Sequence, residues 1–183
     1  MIRTYRIEGV VIRKDKMGEA DYRLTVLSKN SGKLVIIAKG VRKITSRKAP
    51  HLDLLNHLKL FLAKGKTFDI LTDVEAIDNF SFLKTHLSRI AVSFKMIELV
   101  NRLIPEREEH TQIFGRLLSD FHLLNKHIKL DETKITDDFA NYLLWQSGYL
   151  PQDQRLAGIK LERFLEDVCE RTIKSNILLT KLS

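Results

Sequence analysis

The chain contains a single cysteine, Cys169, among 183 residues. One thiol excludes an intramolecular disulfide framework and a cysteine-rich zinc site within one chain, and its position on an apolar helical stripe predicts a buried hydrophobic side chain. Three prolines and eight glycines leave little room for a flexible linker. No apolar run approaches the roughly 18 residues of a membrane span, and Met1–Arg6 has no apolar segment typical of a secretory signal. We therefore expect a soluble cytoplasmic protein that does not associate with membranes.

Sequence patterns that indicate catalysis are also missing. The glycines form neither Gly-x-Gly-x-x-Gly nor the Walker pattern, and the histidines form no His-Glu-x-x-His pair. Three acids, Asp15, Glu19 and Asp21, suggest a divalent-metal site for nuclease chemistry. The bases around them favour a surface network of salt bridges instead, so a nuclease ranks last. We expect no catalytic residue, no metal and no cofactor, and hence no enzymatic activity.

Acidic residues are absent from one long stretch, Tyr22–Leu52. The same stretch contains eight bases: Arg23, Lys29, Lys33, Lys39, Arg42, Lys43, Arg47 and Lys48. Residues 1–80 hold 16 basic against 9 acidic residues, whereas residues 81–183 hold 15 against 14, so most of the formal charge of +8 lies in the first part. Charge segregated in this way indicates a surface for a polyanion, and it favours nucleic acid over a solubilising loop.

Residues 1–80 have the composition and alternation typical of β-strands. Five short runs have this character: Tyr5–Arg13, Tyr22–Lys29, Leu34–Ala38, Leu58–Ala63 and Phe68–Val74. Gly9 suggests a bulge or bend in the first run, and Asn30–Lys33 predicts a hairpin with Gly32 at positive φ. Five strands whose longest connection separates the third from the fourth favour a Greek-key barrel of the OB type, with an SH3-like barrel as the alternative.

From residue 81 onward the hydrophobic period becomes helical. One stripe consists of Leu83, Leu87, Ile90, Phe94, Ile97 and Val100, widened by Ala91, Met96, Leu99 and Leu103. We expect Pro105 to end this helix, Thr111 and Thr136 to cap the next two, and Gly148 to close the third. A last stripe consists of Leu161, Leu165, Val168 and Thr172. The sequence therefore predicts an α+β protein: a five-stranded OB-fold barrel in residues 1–80, followed by an α-helical bundle in residues 81–183.

Basic side chains of the barrel are the candidate nucleic-acid contacts. Because strands present side chains alternately, Arg13, Arg23 and Lys33 are predicted to line an outer surface. The following segment, Lys39–Lys48, adds five bases in ten residues. The full candidate set is Arg13, Tyr22, Arg23, Lys33, Lys39, Arg42, Lys43, Arg47 and Lys48.

Aromatic residues are few in the barrel. Phe61 and Phe68 are predicted to lie in its core, which leaves Tyr5 and Tyr22 as the candidate stacking residues. A surface rich in charge and poor in rings should bind the sugar-phosphate backbone rather than the bases. Such a surface is compatible with single-stranded and duplex DNA alike.

Four short motifs surround these residues: Gly18-Glu-Ala-Asp-Tyr-Arg-Leu-Thr25, Gly32-Lys-Leu34, Ala38-Lys-Gly-Val-Arg42 and Ser46-Arg47. Together they resemble the amino-terminal domain of bacterial RecO recombination mediators. Further along, Gly148-Tyr-Leu-Pro151, Leu161-Glu-Arg-Phe-Leu165 and Lys174-Ser175 are similar to the third and last helices of that family. The resemblance implies an OB-fold domain followed by a helical domain.

The resemblance also implies a function. RecO-like proteins are non-enzymatic: they bind single- and double-stranded DNA, anneal complementary strands, and help RecA replace the single-stranded DNA-binding protein. They act with RecR and dock on the acidic C-terminal tail of the single-strand binder, which places them in the cytoplasm at the nucleoid. Two other interpretations remain open at this point, a helical-bundle adaptor that binds another protein and an RNA-binding OB-fold.

One departure from the family pattern concerns metal. Many RecO proteins carry a four-cysteine zinc motif directly after the Gly-Tyr-x-Pro turn, but here Gln152–Gly158 contains no cysteine. Cys169 alone cannot build a structural zinc site, which needs four ligands. The resemblance therefore implies a variant without the zinc motif.

Overall fold

Five strands precede four helices in this computed structural model, which describes the backbone of residues 4–182 and the side chains of residues 4–170. The strands are β1 Thr4–Met17, β2 Asp21–Ser28, β3 Gly32–Ala38, β4 His57–Ala63 and β5 Asp69–Asp78. The helices are α1 Leu87–Leu103, α2 Thr111–Leu124, α3 Glu132–Gln146 and α4 Gly158–Leu182, with 3-10 turns at Ala49–His51 and Leu83–Thr85. The side chains of Thr172, Lys174 and Ser175, which the sequence analysis used, lie outside the described residues.

The five strands close into a barrel in the order β1-β2-β3-β5-β4. β1 is long enough to pair antiparallel with both β2 and β4, and β3 pairs in parallel with β5 at Ile36 and Ile37. This arrangement is that of a small Greek-key barrel of the OB type. The predicted fold, an OB-type barrel followed by helices, is confirmed.

Two glycines permit close approach of neighbouring chain segments. Gly32 has φ +65°, and a Cβ placed on it would lie 2.0 Å from the main-chain oxygen of Glu108. The predicted β2–β3 hairpin therefore needs glycine both for its backbone conformation and for the passage of the α1–α2 connection. A Cβ on Gly9 would lie 2.4 Å from Cγ1 of Val26, so glycine lets β1 cross β2 closely.

The irregularity expected in β1 lies downstream of Gly9. Gly9 itself pairs regularly with Ser28, and the register shift falls between Val11 and Arg13. The bulge bends β1 where it leaves β4 and continues along β2. The prediction was right about the strand and wrong about the residue.

Helix ends agree with the sequence at Pro105 and Gly148 but differ at both predicted threonine caps. Thr111 is already the first residue of α2, and its hydroxyl donates to the main-chain oxygen of Lys29 at 3.0 Å. α3 begins at Glu132, where the Asp131 carboxylate accepts from Lys134 N at 3.0 Å. Aspartate is among the strongest N-cap residues, so the helix starts there and Thr136 lies inside it.

The buried face of α1 is rotated relative to the main predicted stripe. Leu87 is 82% exposed and Phe94 is 44% exposed, although both belong to that stripe. Met96, Leu99 and Leu103, which the sequence placed at its margin, are buried. The side of α1 that meets the other helices was therefore misplaced in part, because a broad apolar stripe does not define its own centre.

The barrel and the helices share a hydrophobic cluster. Val10, Ile12 and Leu27 of the barrel pack in one cluster with helical residues such as Phe114 and Leu103. A second cluster fills the barrel interior and includes Leu24, Ile36 and Leu60. The secondary structure therefore changes from strand to helix near residue 80, but apolar packing continues from the barrel into the helices.

Candidate nucleic-acid interface

The segment that follows β3 is fastened to the turn between β1 and β2. Val41 is buried in the barrel cluster. The main-chain nitrogen of Gly40 donates to the Asp21 carboxylate at 2.8 Å, and that of Arg42 donates to Ala20 O at 2.9 Å. These contacts fix the base of the segment, so its basic side chains project from a defined position at one end of the barrel.

Most of the basic side chains of this segment are exposed. Lys39, Arg42, Lys43 and Arg47 all face solvent. Lys48 is half-buried, and its ammonium donates to the main-chain oxygen of Thr72 on β5 at 3.3 Å. Five predicted contacts thus lie on one short anchored segment, where a phosphate backbone can reach them together.

Tyr22 lies beside the base of this segment with two cations near its ring. Lys14 Nζ is 4.5 Å from the ring centroid, and the Arg42 guanidinium carbon is 6.0 Å from it. The guanidinium of Arg42 also donates to Gly18 O at 3.0 Å. Cation–π attraction and this hydrogen bond hold the three side chains as a group. We call the set comprising Lys14, Lys16, Tyr22, Lys39, Arg42, Lys43, Arg47 and Lys48 the loop surface.

Sequence reasoning missed two members of the loop surface, Lys14 and Lys16. In the β1–β2 register, Lys16 is opposite Tyr22 and Lys14 is opposite Leu24, so both lysines share the side of the ladder on which Tyr22 lies. The alternation of side chains along β1 indicated that the two lysines share one face, but they were interpreted as partners of the neighbouring acids. The pairing of β1 with β2, which the sequence did not define, brings these lysines to the side of Tyr22.

Arg13 and Arg23 lie on the other side of the same ladder and share a carboxylate. Arg13 Nε is 2.8 Å from Asp15 Oδ2, and Arg23 Nη2 is 3.7 Å from the same oxygen. Both guanidinium groups remain about half exposed. The predicted salt-bridge network is therefore present, and it reduces the positive charge that these two arginines offer to a polyanion.

Lys33 is not on the surface, and the prediction that it lines an outer face is wrong. Its side chain is buried, with the residue 8% exposed, and its ammonium donates to Asn101 O at 2.6 Å. Burial lowers the pKa of Lys33, and the Glu106 carboxylate partly opposes that shift. The α1–α2 connection covers this end of the β2–β3 hairpin, because Arg107 N donates to Lys33 O at 2.9 Å.

Two phenylalanines predicted for the barrel core lie outside it. Phe68 is 38% exposed, and Phe61 is half-buried with Lys59 Nζ 5.5 Å from its ring centroid. Tyr5, the other candidate stacking residue, donates its hydroxyl to Asp69 at 2.5 Å. Burial, together with the hydrogen bond to Asp69, raises the pKa of Tyr5 well above its usual range. The hydroxyl of Tyr5 therefore links β1 to β5, whereas Tyr22 belongs to the loop surface.

Three helical arginines have partners within the helical domain. The Arg89 guanidinium is buried and donates to Leu124 O at 2.6 Å. Arg102 pairs with Glu98 at 2.5 Å, and Arg116 pairs with Asp120 at 2.8 Å. All three therefore stabilise the helical domain. Cys169 is buried, as expected from its stripe, and burial raises the pKa of its thiol.

Within the described side chains, no three His, Cys, Asp or Glu residues lie close enough together to hold a metal ion. Asp21, one of the three acids after β1, accepts from Gly40 N, and Asp15 pairs with Arg13 and Arg23. Among the described helices, none combines the length and the apolar character needed to cross a membrane.

The fold and this surface define an OB-fold protein whose barrel end carries a cluster of exposed cations. Residues 1–80 match the family model described as "Recombination protein O N terminal". The chain is 37% identical over 150 residues to the DNA repair protein RecO of Roseiflexus sp. (strain RS-1), an alignment that covers 82% of this chain and 52% of the relative. The chain belongs to the RecO family of DNA repair and recombination proteins.

Two further relatives are also DNA repair proteins named RecO. The identity is 40% over 124 residues with the DNA repair protein RecO of Heliobacterium modesticaldum, covering 68% of this chain and 45% of the relative. It is 32% over 154 residues with the RecO protein of Dehalococcoides mccartyi (strain ATCC BAA-2266 / KCTC 15142 / 195), covering 84% and 60%. The chain thus spans about half the length of the curated relatives it matches.

In this chain, polar contacts hold the segment where many family members are expected to carry zinc. Asn141 Nδ2 donates to Leu156 O at 2.8 Å, and Asn141 Oδ1 accepts from Leu156 N at 2.9 Å. Trp145 Nε1 donates to Gln154 O at 2.7 Å, and Arg155 pairs with Asp138. The side chains of α3 therefore hold the segment that follows the Gly148 turn.

Proposed function

We propose that this chain binds DNA through the loop surface and anneals complementary strands, acting as a non-enzymatic recombination mediator in DNA repair. The observation that carries the proposal is the anchored segment after β3, on which Lys39, Arg42, Lys43 and Arg47 are exposed and Arg42 lies beside Tyr22. The seven cations of the loop surface suit a sugar-phosphate chain, and Tyr22 offers a single stacking position. Membership of the RecO family supports the same reading.

Annealing follows from charge screening. Two DNA strands repel each other because each carries one negative charge per nucleotide. A cationic surface that neutralises phosphates on both strands lowers this repulsion, and base pairing then supplies the free energy. No covalent bond forms or breaks, so this mechanism requires neither ATP nor a catalytic residue.

The partners proposed from the family are RecR, the acidic C-terminal tail of the single-stranded DNA-binding protein, and RecA, which the mediator helps to load. These interactions would place the chain at the nucleoid. We further propose that residues 1–80 form the nucleic-acid-binding domain and that residues 81–183 form the helical domain. Because Val10, Ile12 and Leu27 pack in one cluster with the helices, we expect the two parts to move as one body when they bind DNA.

The test is the salt dependence of DNA binding. Replacement of Arg42, Lys43 and Arg47 by alanine removes three exposed charges and no described core contact. For a single-stranded oligonucleotide, the slope of log K against log salt concentration should become shallower by about 2, since each lost phosphate contact contributes about 0.7. Affinity for all sequences should fall together, and annealing should slow in parallel.

The matched control removes three exposed bases from the helical domain: Lys134, Lys160 and Arg163. The two variants have the same net charge, so a difference between them measures position and not overall charge. Equal slopes for the loop variant and the unmodified protein would contradict the proposal. Stronger binding to RNA than to DNA of the same sequence would instead favour an RNA-binding OB-fold.

A further inference from the structure

Three aromatic rings meet where the barrel joins the helices. The ring of Phe82 lies 3.5 Å from the imidazole of His127 and 4.3 Å from that of His86, measured between ring centroids. The interplanar angles are 34° and 50°, so the rings lie tilted against one another. Both histidines are exposed, and Phe82 is half-buried against them. We call Phe82, His86 and His127 the ring cluster.

A buried arginine holds the ring cluster in place. Arg89 donates to the main-chain oxygens of Leu124, Lys126 and Ile128, each at 2.6 Å. The connection between α2 and α3 therefore wraps around this guanidinium, which also lies 4.9 Å from the Phe82 ring centroid. His127 is thereby presented outward beside Phe82 by a chain segment whose carbonyl groups are satisfied.

Cations and exposed apolar groups surround the ring cluster. Lys126 and Lys129 are exposed on the same connection, and Ile128 between them is 49% exposed. The nearby acids are engaged elsewhere: Asp131 caps α3, and Glu132 accepts from Ser88 Oγ at 2.9 Å. A surface of aromatic rings flanked by lysines is the combination that single-strand binders use, in which rings stack on bases and ammonium groups contact phosphates.

A chain of cations connects the ring cluster to the loop surface. Lys14 lies over Tyr22 at 4.5 Å and also pairs with Asp53 at 2.9 Å. Lys84, two residues after Phe82, donates to Asn56 Oδ1 and interacts electrostatically with both Asp53 and Lys14. Burial lowers the pKa of Lys84. Lys84 therefore links the ring cluster to Lys14 of the loop surface, with Asp53 as the shared counter-ion of the two lysines.

We propose that the ring cluster is a second nucleic-acid contact, a base-stacking platform for single-stranded DNA that runs from the loop surface past Lys84. This inference rests on the proposed function, because it assumes that the loop surface binds DNA. It assigns base contacts to the helical side of the junction, whereas the loop surface contacts mainly the backbone. A long single strand would touch both surfaces and a short one only the first.

The test uses His127 because its side chain is exposed. Arg89 donates only to main-chain oxygens of neighbouring residues, so replacement of the His127 side chain leaves these hydrogen bonds intact. Binding of the unmodified protein and of the His127→Ala variant is measured by anisotropy with oligothymidylates of about 4 to about 30 nucleotides, a range that includes and exceeds the roughly 4–16 nucleotides that one OB-fold occupies. The variant should bind the long oligomers about fivefold more weakly and the short ones equally well. His127→Trp should restore or strengthen the binding of long oligomers, since a larger ring stacks better.

An abasic strand of the same length separates stacking from charge. It should bind equally to the unmodified protein and to His127→Ala, because it offers phosphates but no bases. Equal affinity of both proteins for every thymidylate length would overturn the inference, even if the Arg42, Lys43 and Arg47 variant loses binding. If that loop variant keeps full affinity and salt dependence, the proposed function fails instead, so the two failures are distinguishable.

Discussion

The ammonium group of Lys33 lies 2.6 Å from the main-chain oxygen of Asn101, in the last turn of α1. A cation at this position satisfies a carbonyl that has no partner within the helix and interacts favourably with the helix dipole. The residue belongs to the acid-free basic stretch, yet its charge joins the barrel to the helices. Basic residues adjacent in this sequence thus have different roles, which only their neighbours in space reveal.

Replacement of Lys33 by methionine should therefore change stability and not DNA binding. The loss of a buried hydrogen bond to a charged group, and the unpaired Asn101 carbonyl, should lower the free energy of unfolding by about 1–3 kcal/mol in a denaturant titration. The salt dependence of DNA affinity should be unchanged. If the slope of log K against log salt concentration became shallower by the amount of about one phosphate contact while stability stayed unaltered, Lys33 would belong to the interface.

Replacement of Asp15 by asparagine should strengthen DNA binding. Arg13 and Arg23 both face this carboxylate, so its removal frees two half-exposed guanidinium groups for phosphates. Affinity for DNA should rise. The slope of log K against log salt concentration should become steeper by the amount of up to about two phosphate contacts. Asp73→Asn, which also removes one negative charge from the barrel, is the control. The idea fails if the two variants change affinity equally.

Gly32 should tolerate alanine far less well than Gly18. Both have positive φ, +65° and +55°, so each substitution carries a backbone strain of about 1–2 kcal/mol. Only Gly32 would add a clash, since its Cβ would lie 2.0 Å from Glu108 O, whereas nothing lies within 4 Å of that on Gly18. Thermal unfolding should show a clearly larger loss for Gly32→Ala. Similar losses for both variants would mean that the α1–α2 connection shifts freely.

Stability should decrease on mild acidification because of His57. Burial lowers the pKa of His57, although the hydrogen bond of its Nε2 to Glu8 at 3.1 Å and the charge of Asp78 oppose the shift. The unfolded chain binds a proton near pH 6.5, whereas folded His57 stays neutral to lower pH. The unfolded state is thus favoured as pH falls below about 6.5, and stability is highest above that value. In denaturant titrations at several pH values, His57→Gln should weaken this dependence. An identical pH profile for the variant would show that other groups cause it.

Asn141 should be necessary for the order of the segment after the Gly148 turn. It is 0% exposed, and its side chain makes three hydrogen bonds, one to Asp137 O and two to the main chain of Leu156. Asn141→Ala should lower the free energy of unfolding by about 1–3 kcal/mol because it leaves buried main-chain groups unpaired. Limited proteolysis should then cut residues 151–157 faster. Gln154→Ala, whose side chain is exposed, is the control and should behave like the unmodified protein.

The sequence predicted the elements with local signals well. The β2–β3 hairpin followed from its turn residues and Gly32, and the end of α3 followed from Gly148, which has φ +73°. Predictions failed where a competing partner decided the outcome. Asp131 displaced Thr136 as the cap of α3, and Phe68, which was assigned to the core, is exposed and lies directly before β5.

The members of the loop surface also differ in whether local sequence or tertiary structure revealed them. Its loop cations could be read from the acid-free stretch, because a run of bases without acids has few intramolecular partners. The remaining members depended on the strand register, because the pairing of β1 with β2 places Lys14 opposite Leu24 and Lys16 opposite Tyr22. A shift of one residue exchanges the two faces of a strand, so the side on which these lysines lie is fixed only when the register is known.

The sequence alone determined that this chain has a strand-rich basic part and a nearly neutral helical part, since period and charge are local properties of the chain. The tertiary structure decided which cations are available to a ligand. Lys33 is buried against α1, Arg13 and Arg23 share Asp15, and Arg42 stands beside Tyr22. The physical reason is that a charge is neutralised or buried by groups that are near in space, and residues as distant in sequence as Lys33 and Asn101 meet only when the barrel and helices pack together.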